Sequence, residues 1–291
     1  MHQEFAKNME TITHGTGKLM LFAGDHKIEH LIKDFFGPHI DPEVKNPEHL
    51  FKIASRGNIG AFATHLGLIS RYATTPAYKK INYIAKLNGK TNIIPTEKKD
   101  PVSSLLWDID NVIELKKNSD INICGIGYTV YLGSMFESDM LQEAAQLVYN
   151  AHQHGLVAIL WMYPRGKEVI NDQDVQLIAG AAGVATSLGA DFAKIIPPKA
   201  NENQTSAQLL QIAKAIAGNT KIICSGGQAT DPERFLKTVY EQLNIGNIDG
   251  TATGRNIYQN KLNDAIKMTK AISALVYENA TYANALKILK K

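Results

Sequence analysis

The residue of this chain with the most chemistry in it is a lysine near the end of an apolar run. Lys194 sits in ADFAKIIPP, where an ammonium is costly to bury unless something uses it. Desolvation lowers an amine's pKa, and a partly neutral amine at the open end of a barrel is what Schiff-base formation with a ketone or aldehyde requires. The plain alternative is a lysine whose head reaches water past the strand end. The preceding apolar run closes with Leu160-Trp161-Met162-Tyr163-Pro164-Arg165-Gly166. Trp161 and Tyr163, two apart, share one face of a strand. If that face is interior, a phenol stands beside Lys194, able to act as acid or base on a carbanion intermediate; if not, it is an ordinary core aromatic.

Two glycine motifs follow, Ser225-Gly226-Gly227 and Gly254-Arg255, each directly after an apolar run. Exposed backbone N–H groups and one arginine could grip a phosphate dianion there, although glycines after strands also serve simple turns. Near the start, Gly24-Asp25-His26-Lys27-Ile28-Glu29-His30 packs two acids and two histidines after another apolar run. With no distant cysteine, histidine or carboxylate cluster to complete a ligand shell, metal binding is the weaker reading. A polar mouth that holds substrate hydroxyls and moves protons is the stronger, beside a merely solvated loop. Lys199 and Lys90 are further cations that the sequence does not place.

These residues need a scaffold, and the apolar pattern supplies one. Strands are expected at Lys18–Ala23, Gly60–Thr64, Tyr83–Leu87, Ile123–Tyr128, Val157–Met162, Asp191–Ile196, Lys221–Cys224 and Ile248–Ala252. Most are apolar at successive positions, as in strands covered on both faces. Helical patterns such as Glu137–His154 and Asp172–Leu188 lie between them, and Asp231-Pro232-Glu233 reads as a helix start. Eight strands with intervening helices predict an α/β fold, a single (β/α)8 TIM barrel over residues 1–291, with the two glycine motifs after its last two strands, where such barrels bind phosphate. Gly24–Pro47 and Asn88–Val102 read as excursions over the mouth. Tyr258–Lys291 reads as a mainly helical packing or oligomer element.

Lys+Arg 31 against Asp+Glu 28 leaves a net charge of +3, scattered rather than blocked, so no nucleic-acid or membrane footprint stands out. No apolar run approaches the roughly 18 residues of a membrane span, and MHQEFAKNME lacks an apolar signal core, so a cytoplasmic protein is expected. Cys124 and Cys224 each lie inside an apolar run, where a reduced thiol acts as a small hydrophobe; neither a disulfide nor a metal site is expected.

The segments GDHKIEH, KLNGKT, GYTVYLGSMFE, WMYPRG, GADFAKI, SGG and TGRNIYQ, in that order between about Lys18 and Gln259, resemble the archaeal-type class I fructose-1,6-bisphosphate aldolases, which share a barrel like that of deoxyribose-phosphate aldolase. The resemblance implies reversible cleavage of fructose 1,6-bisphosphate to dihydroxyacetone phosphate and glyceraldehyde 3-phosphate through a lysine iminium, with no metal or other cofactor, in a homo-oligomer. It puts Lys194 at the Schiff-base lysine, Tyr163 at the proton donor, and Trp161 at the aromatic beside it. Asp25, His26 and His30 fall in the mouth motif that contacts substrate. Arg165 matches a phosphate-binding arginine, and Ser225, Gly226, Gly227, Gly254 and Arg255 match the phosphate cradle of the ketone half. Two departures bear on the distal contact: Ile195-Ile196-Pro197-Pro198-Lys199 replaces a more polar run, and Lys27 stands where glycine is common. Two alternatives remain beside that expectation, a related Schiff-base aldolase or thiolase acting on another phosphorylated ketose or diketone, and a non-catalytic barrel that binds a phosphorylated metabolite.

Overall fold

A computed structural model describes residues 3–93 and 100–291. Eight strands close a parallel barrel: β1 Leu19–Ala23, β2 Ala61–His65, β3 Tyr83–Lys86, β4 Ile123–Leu132, β5 Val157–Pro164, β6 Phe192–Ile195, β7 Lys221–Ser225 and β8 Gly250–Thr253. Sequential strands are neighbours, and β8 returns to β1 with Leu19 opposite Gly250. The chain is thus a (β/α)8 TIM barrel. The eight expected runs are these eight strands, with ends displaced by one or a few residues. The largest difference is β4, which runs on to Leu132 because it pairs with β5 from Gly125 opposite Val157 up to Leu132 opposite Pro164. All eight residues of β5 are buried, the pattern of a strand with helices outside and packed side chains inside.

An α-helix α1 (Gln3–Thr13) precedes β1, and the helices α2 Glu48–Arg56, α3 Leu66–Tyr72, α4 Ile109–Ser119, α5 Glu137–Gln153, α6 Val175–Ser187, α7 Ser206–Ile216, α8 Pro232–Asn244 and α9 Leu262–Tyr277 follow β1 to β8 in turn, with α10 Tyr282–Lys290 last. Their starts are written locally. Asp108, Asp174, Thr205 and Asp231 each accept a first-turn backbone N–H of α4, α6, α7 and α8. The α6 start therefore lies at Val175 rather than Asp172. The C-terminal segment packs on the barrel, α9 against β1, α2 and α8, and α10 against α8 and α9.

The expected excursions carry some structure of their own. Gly24–Pro47 contains a one-turn helix His26–Glu29 and two 3-10 turns, Ile32–Asp34 and Pro42–Lys45. Asn88–Gly89 pairs antiparallel with Ser104–Leu105, so the second excursion begins and ends on a short ribbon; its residues 94–99 lie outside the described residues. Among the described residues no helix is long and apolar enough to cross a membrane. Both cysteines are buried and free.

Candidate active site

Lys194 is the third residue of β6, placed opposite Trp161 of β5 and Ile223 of β7. It is 4% exposed, with Nζ 4.9 Å from the centre of the Trp161 indole. The indole fits because β4 has no side chain at 127: a Cβ on Gly127 would stand 2.4 Å from Trp161 Cζ3. A second lysine shares this floor. Lys86, at the end of β3 and fully buried, has Nζ 5.5 Å from the same indole. It donates to Asn88 Oδ1 at 2.7 Å and Asn88 O at 2.9 Å, and lies 3.4 Å from Glu29 Oε1. Asn88 is itself fixed by donating to Ser103 O and Thr129 O, each at 2.8 Å.

This cluster sets the ionisation of the lysine. Burial lowers the Lys194 pKa; Asp25 and Glu29 pull it back up, while Lys86 and Arg255 push it further down. Burial alone would raise Asp25, but Lys194 foremost, with His26 and Lys86, outweighs it and holds the carboxyl below the usual carboxylate range. Glu29 goes the other way: burial, with Asp25 adding to it, raises it above that range against the pull of Lys86. One carboxylate is thus ionised beside the amine, and the other takes a proton more readily than an ordinary carboxyl. Tyr163, on the Trp161 face and opposite Tyr131 of β4, is pushed well above an ordinary phenol by burial and by Asp25, so it stands as a proton donor.

Further out, the loops after β1, β5, β7 and β8 meet. His26 and His30 contact edge to face, ring centres 4.3 Å apart, and burial lowers both pKa values. Gly254 has to be glycine here, since a Cβ would meet His26 Cε1 at 2.3 Å. Gly227 takes φ +67°, and Asn256 holds its loop by donating to Gly226 O at 2.8 Å and Gln228 O at 3.1 Å. Arg255 donates from Nε to Gly227 O at 3.1 Å. Arg165 lies at the rim, its guanidinium 5.3 Å from the Tyr163 ring and 3.9 Å from Asp172.

Every candidate residue from the sequence reaches one cavity at the C-terminal mouth: Lys194, Tyr163, Asp25, His26, His30, Trp161, Arg165, Ser225, Gly226, Gly227, Gly254 and Arg255. Glu29, Asn92 and Tyr131 line it too. The sequence reading counted Glu29 only as one of the two acids of the mouth segment, and it singled out none of Asn92, Tyr131, Lys86, Asn88 and Asn256. GDHKIEH and KLNGKT contain Glu29, Lys86 and Asn88, so the signal was present in the motifs. Lys90 leans over the Tyr131 ring at 5.7 Å, whereas Lys199 is exposed outside the cavity lining. Lys27 turns away from the cavity to donate to Val44 O and Lys45 O and to cover the Phe35 ring, and burial brings its pKa down to about 8. Among the described residues no group of three or more His, Cys, Asp or Glu is arranged to hold a metal ion.

Residues 19–260 match the model of the DeoC/LacD family of aldolases. The chain belongs to that family. It is 50% identical over 286 residues to a fructose-bisphosphate aldolase/6-deoxy-5-ketofructose 1-phosphate synthase of Methanocaldococcus jannaschii, covering 98% of this chain and 90% of the relative. It is 32% identical to a class 1 fructose-bisphosphate aldolase of Thermoproteus tenax, covering 94% of each. Among solved structures, a fructose-bisphosphate aldolase from Slackia heliotrinireducens superposes with a TM-score of 0.96 at 47% identity, over 99% of this chain and 90% of that one. An archaeal fructose-1,6-bisphosphate aldolase, solved with its catalytic lysine covalently bound to the carbinolamine intermediate, superposes at 0.79 and 30% identity, over 94% and 99%. The DeoC/LacD chain described here is therefore an aldolase whose relatives include Schiff-base fructose-bisphosphate aldolases.

Proposed function

We propose that this chain is a class I fructose-bisphosphate aldolase in which Lys194 forms the iminium. The observation that carries the reading is a buried amine, beside an ionised carboxylate and a neutral phenol, at the inner end of a cavity rimmed by Arg165 and the two glycine motifs. The 50% identical relative named for this activity supports it.

In this reading Lys194 attacks the C2 carbonyl of the open-chain ketose to give a carbinolamine, and Tyr163 protonates the departing hydroxyl so that it leaves as water. The phenolate that remains is tolerable beside an iminium cation. It takes the proton of the C4 hydroxyl as the C3–C4 bond breaks and the bonding pair moves into the iminium, so an aldehyde and an enamine result instead of a naked carbanion. Tyr163 next gives its proton to C3. The regenerated phenolate accepts one from the water that hydrolyses the second iminium, and dihydroxyacetone phosphate and free Lys194 result. Asp25 stays ionised and stabilises the cation. Ser225, Gly226, Gly227, Gly254 and Arg255 hold the phosphate of the ketone half and Arg165 the distal one, while His26, His30 and Trp161 contact the sugar. Binding both ends fixes the reacting carbons in register.

A second activity has one observation in its favour, the name of the Methanocaldococcus relative. Cutting 6-deoxy-5-ketofructose 1-phosphate between C3 and C4 leaves methylglyoxal as the aldehyde half, so the same enamine would serve with a different acceptor. The finer expectations belong to this reading as well: one domain over 1–291, a cytoplasmic homo-oligomer, a phosphorylated sugar as the only partner, neither nucleic acid nor membrane. Sedimentation showing a monomer would remove the oligomer.

The test is cleavage of fructose 1,6-bisphosphate in a coupled assay containing EDTA. Turnover is expected, with Tyr163→Phe keeping iminium formation but losing about 100-fold or more in kcat. Absence of cleavage across fructose 1,6-bisphosphate and fructose 1-phosphate would overturn the proposal. Addition of methylglyoxal should divert the enamine to a new phosphorylated product if the second activity is present.

A further inference from the structure

Asp34 lies between two groups that the reading above sets to work at the mouth. Its Oδ2 is in short contact with His30 Nδ1, and the same oxygen lies 3.5 Å from Arg255 Nη1. His30 and Arg255 line the cavity of Lys194 while Asp34 stands just outside its lining, and at 21%, 20% and 18% exposed the three have little water to screen them. The turn Ile32–Asp34 is held against the loop after β8 from two sides: Gln259 Nε2 donates to Asp34 O at 2.8 Å, and Asp41 N donates to Gln259 O at 3.0 Å. With Arg255 Nε on Gly227 O, the loops after β1, β7 and β8 form one hydrogen-bonded unit centred on this carboxylate.

One carboxylate oxygen divided between a guanidinium and an imidazole serves neither fully. As the molecule stands, burial holds the His30 pKa down, Arg255 adds to that, and Asp34 opposes it. Asp25 also favours the charged ring, and the neighbouring His26 is itself held neutral by burial.

We propose that Asp34 is a positioning residue whose hold on His30 is freed from the competing pull of Arg255 when a substrate phosphate occupies that guanidinium, so that filling the phosphate end of the cavity aims and charges the histidine that shares the cavity with Lys194. The proposal rests on the phosphate reading of Gly254-Arg255. A phosphate dianion outcompetes a carboxylate for a guanidinium by charge and by its array of oxygens. Asp34 then attends His30 alone, the imidazole takes a proton from solvent, and its ring is held in one orientation by the resulting ion pair. A ketose without its phosphate meets a neutral His30, so the phosphate acts on the reacting end as well as on binding.

The experiment is an NMR titration of the full chain carrying 13C-labelled histidine, with His30 assigned by the signal lost in His30→Asn. Glycerol 1-phosphate is the probe, since it has the phosphate end and no ketone to form an iminium. Saturating ester should raise the His30 midpoint by about half a pH unit or more in the wild-type protein. In Asp34→Asn, and in Asp34→Ser measured beside it in case one variant folds poorly, the ester should still bind while the midpoint moves less than about a third as far. Equal movement in wild type and variants, or none in wild type with the ester bound, overturns the role of Asp34 and leaves the phosphate site standing. Failure of the wild-type protein to bind the ester overturns the phosphate reading and this role with it. The phosphate contribution to kcat, read as the ratio for fructose 1-phosphate over fructose, should fall about tenfold in Asp34→Asn and recover in part in Asp34→Glu.

Discussion

At the N-terminal end of the barrel, Asp191 and Asp249 immediately precede β6 and β8 in matching ways. Asp191 donates its backbone N–H to Ala158 O, accepts the Ala158 N–H on Oδ2 at 2.8 Å, and takes His152 Nε2 on the same oxygen at 3.0 Å. Asp249 does the same with the Ile222 backbone, at 2.7 Å, and with Lys214 Nζ at 2.5 Å. At the C-terminal end the charges are arranged otherwise. Among the described residues neither the Lys194 ammonium nor the Asp25 carboxylate is hydrogen-bonded to a backbone group, and both face a cavity. Carboxylates at one end tie neighbouring strands and are committed to the scaffold. At the other end, burial and mutual charge hold an amine and a phenol ready for a ligand. Charge clustering alone does not mark a site; charge left uncommitted to the scaffold does.

Substitutions at the two ends should therefore separate activity from stability. The largest effect is expected from Lys194→Ala, about a 10,000-fold or greater loss of kcat with the thermal midpoint within a few degrees of wild type, because removal of a desolvated ammonium offsets the loss of a partner for Asp25. A sharp fall in thermal midpoint would erase the contrast. Next, Asp249→Ala should cost about 2–3 kcal/mol in urea unfolding, since a buried backbone N–H and a lysine both lose their acceptor, while kcat of the folded protein stays within about twofold. A smaller shift should come from Lys86→Met. Removing that cation lets the Lys194 pKa rise, so the acid limb of kcat/KM moves to higher pH. Activity should fall about tenfold near pH 7 and recover near pH 9; an unmoved limb would remove Lys86 from the account.

The smallest is His152→Gln. Its hydrogen bond to Asp191 raises the folded pKa above 6.5. Its contribution is therefore complete below the unfolded value and is lost as pH rises through the folded one. The variant should be less stable than wild type by at most about 1 kcal/mol near pH 5.5, with the gap closing near pH 9. A gap independent of pH would show that the pair does not titrate with folding.

The sequence made the barrel legible because each of its eight strands carries its own apolar run and its helices carry their own caps. It was less informative about strand ends: Thr129–Leu132 belongs to β4 by pairing with Trp161–Pro164, which no local pattern records. The site divides in the same way. Lys194, Tyr163 and the loop glycines stood out as anomalies in their own segments, a cation in an apolar run or a glycine pair after one. Lys86 did not, because beyond its neighbour Asn88 the groups that bring it into the site come from elsewhere: Glu29 from the loop after β1 and the Trp161 indole from β5. Asn256 likewise reads as an ordinary polar residue until its bonds to the 226–228 loop are seen. Asp34 is visible only as the oxygen that two loops share.

The most direct test of the central claim is borohydride trapping with dihydroxyacetone phosphate, followed by mass mapping of the modified peptide. The account predicts one triose phosphate adduct per chain, on Lys194, absent from Lys194→Ala. An adduct on Lys86 or any other lysine, or full labelling of Lys194→Ala, would contradict it.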